Sequence, residues 1–373
     1  MSPRFEIVAE CPHTRARAGV LHTAHGPVET PVFMPVGTQA TVKGLTPRQL
    51  ADELNTRILL ANTYHLWLRP GSATIRQGGG LHSFMCWPRA ILTDSGGYQV
   101  FSLANLRKVS EDGVEFRSHL DGSLRFLSPE KAIDIQLALG SDIMMVLDEC
   151  TPYPVDAAPA RESMQLSARW AERSFGRWRA AGPQPAGMLF AIVQGSTYPD
   201  LRRECARRLV DLGAPGYAIG GLSVGEPREL SYDMVAACEA ELPRCRPRYA
   251  MGVGMPAELG RYVALGIDMM DCVLPTRNAR NGCLFTRAGK IMIKNAAHAR
   301  SHVPVEERCR CYACRNFTRA YLRHLFLARE MLYSTLATMH NLWLYLDTMR
   351  RLREAIVAGT LPDFLRQAGP AGD

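Results

Sequence analysis

The chain is expected to fold as an α/β protein, a closed barrel of parallel strands with helices around it. Two observations carry that expectation. Eight strongly apolar runs of strand length recur along the 373 residues, separated by stretches of helical character, an alternation that belongs to parallel sheets. Hydrophobic residues make up 47% of the chain and charged residues 21%, enough apolar surface to bury a large core and too little charge for a disordered chain. Length alone fits either two ordinary domains or one barrel with an appendage, since such barrels run to about 250 residues.

The eight runs fall at 32–36, 57–62, 90–94, 142–148, 188–194, 216–221, 248–252 and 267–271. Helices are expected between them at 46–54 with a Thr cap, 129–139 after Ser128, 161–179, 198–212, 229–241 and 256–265. Residues 113–127 break the pattern with short alternating runs around Asp121-Gly122, a hairpin signal. A second β-rich stretch, 13–32, turns at Ala24-His25-Gly26 and is expected to cover one end of the barrel. No internal repeat or low-complexity linker divides the chain.

Polar residues stand where the runs end. The third closes as ILTDSGG, the fourth as MMVLDEC, the fifth as FAIVQG, the sixth as YAIGGLSVGE and the eighth as IDMMDC. In a parallel barrel the C-terminal strand ends share one face, so Asp94, Asp148, Gln194, the Gly220-Gly221 backbone and Asp271 are expected to converge there. One such Asp alone reads as a helix cap or a loop ion pair. Several at equivalent strand ends read as a site.

The residue types divide by chemistry. Asp94 and Asp271, facing one another across the mouth, supply the pair that glycosidic chemistry needs: one carboxylate to attack an anomeric carbon, one carboxyl to protonate the leaving group. Asp148 can accept two hydrogen bonds from an amidine-like N–H edge, and Gln194 offers a donor and an acceptor, a combination that suits guanine. Gly220-Gly221-Leu222 lets backbone amides approach a purine carbonyl closely.

Eleven cysteines, mostly scattered singly, fit a reducing compartment better than a disulfide framework. Three cluster. Cys309, Cys311 and Cys314, with His340 further on, give the four nitrogen and sulfur ligands of a closed structural zinc site, with no open position for catalytic water. The net charge is +8, but residues 277–329 hold twelve Lys or Arg against two acids, about +10, leaving about −2 elsewhere. That local surplus reads either as a solvated Arg-rich surface or as a footprint for a phosphate backbone. The N-terminal residues lack the apolar core of a signal peptide and no stretch reaches membrane-span length, so a cytoplasmic protein without membrane partners is expected.

The motifs TVKGLTP, ANTYHL, LTDSGGYQVFSL, DECTPYP, IGGLSVGE, MGVG, GIDMMDCVLPTRNARNG and CRCYACRNFTRAYLRHL run nearly end to end. In them the chain resembles the tRNA-guanine transglycosylases, the enzymes of queuosine biosynthesis. The resemblance implies an α/β fold in the form of an irregular (β/α)8 TIM barrel with an inserted C-terminal zinc-binding subdomain. The layout expected is barrel and N-terminal β cap at 1–275, basic zinc-binding subdomain at 276–345, and C-terminal helix and tail at 346–373.

It also implies roles. Asp271 attacks the ribose and Asp94 shuttles the proton; Asp148, Gln194 and Gly221 read guanine; Tyr98 and Met251 sandwich the base; and Cys150, Leu222 and Val224 belong to the same pocket. Arg277 and Arg280 meet tRNA, and Cys309, Cys311, Cys314 and His340 hold one structural Zn2+ per chain. The implied reaction is double displacement through a covalent Asp271-ribosyl intermediate. It would exchange the wobble guanine of tRNAs with GUN anticodons for 7-aminomethyl-7-deazaguanine, releasing guanine, in a bacterial homodimer. A branched Val224 implies room for the small aminomethyl base rather than queuine. Cys283 departs from the family pattern, standing in NGCLF where His is expected. Two other readings stay open: a tRNA-binding partner subunit without catalysis, against which both Asp94 and Asp271 are present, and a carbohydrate hydrolase on the same barrel.

Overall fold

The computed structural model describes residues 4–103, 107–182 and 187–367. All eight expected strands form: β1 (Val32–Met34), β2 (Ile58–Ala61), β3 (Ala90–Thr93), β4 (Ile143–Met145), β5 (Met188–Val193), β6 (Gly216–Ile219), β7 (Arg248–Ala250) and β8 (Met269–Asp271). They lie parallel in the order β1-β8-β7-β6-β5-β4-β3-β2. The ring closes just past β1, where Val36 bridges to Leu60 and the Gly37 N–H donates to the Leu60 carbonyl at 2.6 Å. Every residue of these strands is buried, which is why they read as continuous apolar runs rather than alternating ones.

The helices follow the expected order with adjusted ends. Pro129–Leu139 matches its span; the Ser128 hydroxyl accepts from the Lys131 N–H at 3.1 Å and Gly140 closes the helix at φ +73°. The expected 161–179 helix starts earlier, as Ala157–Ala180, and the expected 256–265 helix is confined to Leu259–Ala264. The 46–54 segment is wound as a π-helix over Gln49–Glu53.

The hairpin at Gly113–Arg117 and Leu124–Leu127 forms, joined by an unexpected strand at Arg107–Ser110. The N-terminal turn likewise lies in a three-stranded sheet, with Phe5–Glu10 added to Arg17–Thr23 and Gly26–Thr30. This sheet seals the end of the barrel opposite the strand C-termini. Buried Arg17 forks onto both oxygens of Asp268 at the start of β8, at 3.0 and 2.6 Å, and His25 meets Asp142 at the start of β4 at 2.8 Å.

After β8 the chain runs through the helix Leu274–Arg280 and a hairpin of Cys283–Thr286 with Gly289–Met292 to the long helix Met331–Val357. A second, smaller core forms here around Leu284, Ile293, Leu322, Leu336 and the three clustered cysteines. Trp343 packs against both this core and that of the barrel. The expected boundary at 345 falls inside the long helix, which serves both units, and the expected tail beyond 367 lies outside the described residues. Among the described residues no helix is long and apolar enough to cross a membrane.

Candidate active site and metal centre

The strand ends place five polar groups at one mouth. Asp94 directly follows β3 and is almost fully buried, as is Asp271, the last residue of β8. Asp94 accepts the backbone N–H groups of Thr63 (3.0 Å) and Gly96 (3.2 Å) and the carboxamide of Asn62. Asp271 accepts the Tyr249 hydroxyl at 2.6 Å and the Gly252 N–H at 2.9 Å.

Burial raises both carboxyls above the usual range. For Asp94, desolvation is the largest cause and the charge of nearby Asp271 adds to it, lifting the group to about 7 against its three hydrogen-bond donors. The charge of Asp271 thus favours the protonated form of Asp94, which biases the two carboxyls toward unlike states.

On the neighbouring strands β4, β5 and β6 the other groups form one connected patch. Gln194 donates from Nε2 to Asp148 Oδ2 at 2.7 Å, and the Ser95 hydroxyl donates to Asp148 Oδ1 at 3.2 Å. The glycines are dictated by close approach: a Cβ on Gly220 would sit 2.8 Å from Gln194 Nε2, and one on Gly221, which adopts φ +62°, would sit 2.6 Å from Gln194 Oε1. Leu222 and Cys150 are buried beside this patch; burial pushes the Cys150 thiol up to about 12, so it stays protonated. Val224 is half-buried in a turn whose Ser223 and Val224 N–H groups both donate to the Glu226 carboxylate, at 2.5 and 2.9 Å. Tyr98 stands exposed on the helix Gly97–Leu103 after Asp94, and half-buried Met251 follows β7, the strand diametrically opposite β3. Arg277 is exposed and Arg280 half-buried on Leu274–Arg280, the helix that begins three residues after Asp271.

The second cluster lies in the smaller core. Cys309, Cys311, Cys314 and His340 are all buried, with their ligand atoms within 4.8 Å of one another. The three sulfurs lie 3.7, 3.5 and 3.3 Å from His340 Nδ1. A tetrahedral zinc with ordinary Zn–S and Zn–N bonds sets that edge at about 3.5 Å, so the cage has the size zinc requires. Nε2 of His340 faces the Phe285 carbonyl at 2.7 Å, which holds the proton there and turns the Nδ1 lone pair toward the sulfurs. Cys283, the departure noted in the sequence, lies at the base of the same hairpin, where its carbonyl accepts from Asn341 Nδ2 at 3.1 Å, and it is not among the four residues of the cage.

A family model described as Queuine tRNA-ribosyltransferase matches residues 11–369. The chain belongs to that family. It is 64% identical over 366 residues to the queuine tRNA-ribosyltransferase of Solibacter usitatus (strain Ellin6076), covering 97% of this chain and 96% of the relative. The protein of that name from Thermoanaerobacter pseudethanolicus (strain ATCC 33223 / 39E) is 56% identical over 364 residues, covering 98% and 96%. Its counterpart from Koribacter versatilis (strain Ellin345) is 54% identical over 368 residues, covering 96% of each chain. As a member of the queuine tRNA-ribosyltransferase family the chain is an enzyme of pentosyl transfer.

Sequence reasoning missed four groups that shape this site. Tyr249, Asn62 and Ser95 donate to its carboxylates, and fully buried Arg202 binds the loops after β5 and β6. Asn62 and Ser95 lie inside the ANTYHL and TDSGG runs and were within reach there. Arg202, one of several arginines on an outer helix, gave no signal.

Proposed function

We propose that the enzyme exchanges the wobble guanine of tRNAs with GUN anticodons for 7-aminomethyl-7-deazaguanine by double displacement. The observation that carries this reading is the pair of buried carboxyls at one mouth, Asp94 and Asp271, with Asp94 raised by burial and by the charge of Asp271. Ionised Asp271, oriented by Tyr249 and Gly252, attacks the ribose anomeric carbon; the C–N bond to guanine breaks, and Asp94 delivers its proton to the departing base. The incoming base then loses a proton to Asp94 and displaces the ribosyl ester, releasing the Asp271 carboxylate. Two inversions return the original configuration.

Asp148 and Gln194 take the N–H edge of the base, the amides at Gly221 and Leu222 its carbonyl, and Tyr98 and Met251 its two faces. Cys150 is a neutral wall, and Val224 leaves room for an aminomethyl group but not for a bulky ring. Arg277 and Arg280 contact the RNA backbone. Cys309, Cys311, Cys314 and His340 hold one zinc ion, which supplies structure and no chemistry, in a subdomain appended to the barrel of residues 1–275. Cytoplasmic location and a homodimer complete the reading.

Asp271→Ala and Asp271→Asn test it directly. Both variants should lose base exchange and the denaturant-resistant enzyme–RNA adduct while keeping the fold, because neither side chain is a competent nucleophile. Wild-type turnover by the Ala variant would remove Asp271 from the mechanism.

A further inference from the structure

Arg202 lies near the start of the helix Pro199–Val210 and is completely buried, yet no carboxylate among the described residues pairs with it. A guanidinium withdrawn from water without a counterion is costly unless its donors are otherwise satisfied. The acceptors that satisfy its fork are backbone carbonyls at the end of β5 and in the loops after β5 and β6, the loops that form the base patch. Nε donates to Ser196 at 2.8 Å, Nη1 to Val193 at 3.0 Å and Gly220 at 2.7 Å, and Nη2 to Gly221 at 3.3 Å.

The last two contacts have a stereochemical consequence. In a planar trans peptide the C=O and the following N–H point in opposite directions. Drawing the Gly220 carbonyl toward Arg202 turns the Gly221 N–H away from it, and drawing the Gly221 carbonyl does the same for the Leu222 N–H. Among the described residues neither amide has an intramolecular acceptor. Glycine at both positions removes the side chains that would otherwise collide with Gln194 when these planes are set.

We propose that Arg202 is a positioning residue for base recognition: its fork fixes the peptide planes from Gly220 to Leu222 so that two N–H donors face the carbonyl of the bound purine. It acts through the backbone and touches no substrate. The inference deepens the base-reading role given to Gly221 and Leu222 above and rests on it.

The test compares guanine with 6-thioguanine, which keeps the N–H edge and exchanges only the carbonyl oxygen for a weaker acceptor. Calorimetric affinities of the full-length wild type should favour guanine. In Arg202→Lys, which keeps the charge but not the planar fork, and in Arg202→Gln, guanine should weaken about tenfold and the thio analogue much less, collapsing the preference. Equal weakening of both bases in a folded variant would mean a general structural role and would overturn the proposal. A measurement on the wild type covers the case where neither variant folds: in 15N-glycine-labelled enzyme the Gly221 amide should shift on adding guanine and shift less with the thio analogue. An unmoved Gly221 amide would overturn it too. A wild type that binds both bases equally would instead sink the base-reading assignment beneath it.

Discussion

Asp94 and Asp271 are the same side chain in nearly the same burial, and the difference between them is made by their neighbours. Asp271 is met by a phenol and an amide; Asp94 is met by two amides and a carboxamide, and burial together with the charge of Asp271 lifts it to about 7. A carboxyl raised from its unfolded value of about 3.9 weakens the fold as pH climbs, because the unfolded chain releases that proton more readily. The penalty is absent below about pH 4, grows through the interval to about pH 7 and is complete above it. Asp94→Asn cannot ionise, so its melting temperature relative to wild type should rise by several degrees between pH 4 and pH 8. A pH-independent difference would mean that Asp94 titrates normally. Activity has the opposite use for the same shift: in the proposed double displacement the departing guanine takes its proton from Asp94, so the rate should fall as pH passes about 7.

At the scale of elements, the helix Met331–Val357 connects the Cys309–Cys311–Cys314–His340 cluster to the mouth that carries Asp94 and Asp271. Over six residues it presents His340 to the cage, Asn341 to the Pro275 carbonyl at 3.0 Å and Tyr345 to the Gly254 carbonyl at 2.8 Å. Pro275 opens the helix that bears Arg277 and Arg280, and Gly254 lies in the loop after β7 beside Cys272. Loss of metal should therefore reach the mouth. Cys311→Ser should strip zinc from about one per chain, expose the amides of the Cys283–Thr286 hairpin to exchange, and lower base exchange although no ligand touches substrate. Full activity in a zinc-free variant would break this coupling. The same helix marks where the sequence was hard to read. The barrel strands were legible because burial on both faces makes them uninterrupted apolar runs, and the cage was legible because its thiols cluster within six residues. A 27-residue helix that serves two cores shows no break at the unit boundary, so the expected division at 345 found no signal to follow. Arg107–Ser110 stayed hidden for a related reason: it is exposed, carries little apolar pattern and is held by its hairpin neighbours.

The whole molecule is polarised along the barrel axis. One end is sealed by the N-terminal sheet, where Arg17 closes on Asp268, and His25 and His82 share the Asp142 carboxylate at 2.8 and 3.0 Å. The other carries the carboxyl groups, and the basic segment continues directly from it through Leu274–Arg280. Not all of the twelve basic residues at 277–329 are available to a ligand. Arg287 is paired with Glu306 and Asp347, Arg319 holds the Pro304 and Val305 carbonyls, and Arg323 holds those of Lys294 and Asn295. Nine remain, among them exposed Arg277, Arg308, Arg310 and Arg315. If these meet phosphates, log affinity for tRNA should fall linearly with log salt, with a slope no steeper than about −8, the value for nine neutralised phosphates. Arg277→Ala should make the slope shallower by about one and weaken binding of all tRNAs alike, leaving affinity for the free base unchanged because that pocket is built from other strands. Arg280 also donates to the Thr276 carbonyl of its own helix at 2.7 Å, so Arg280→Ala combines a lost phosphate contact with a local one and is the less clean test. A flat salt dependence would remove the phosphate footprint from this face, and a slope unaltered by Arg277→Ala would move it elsewhere on the basic segment.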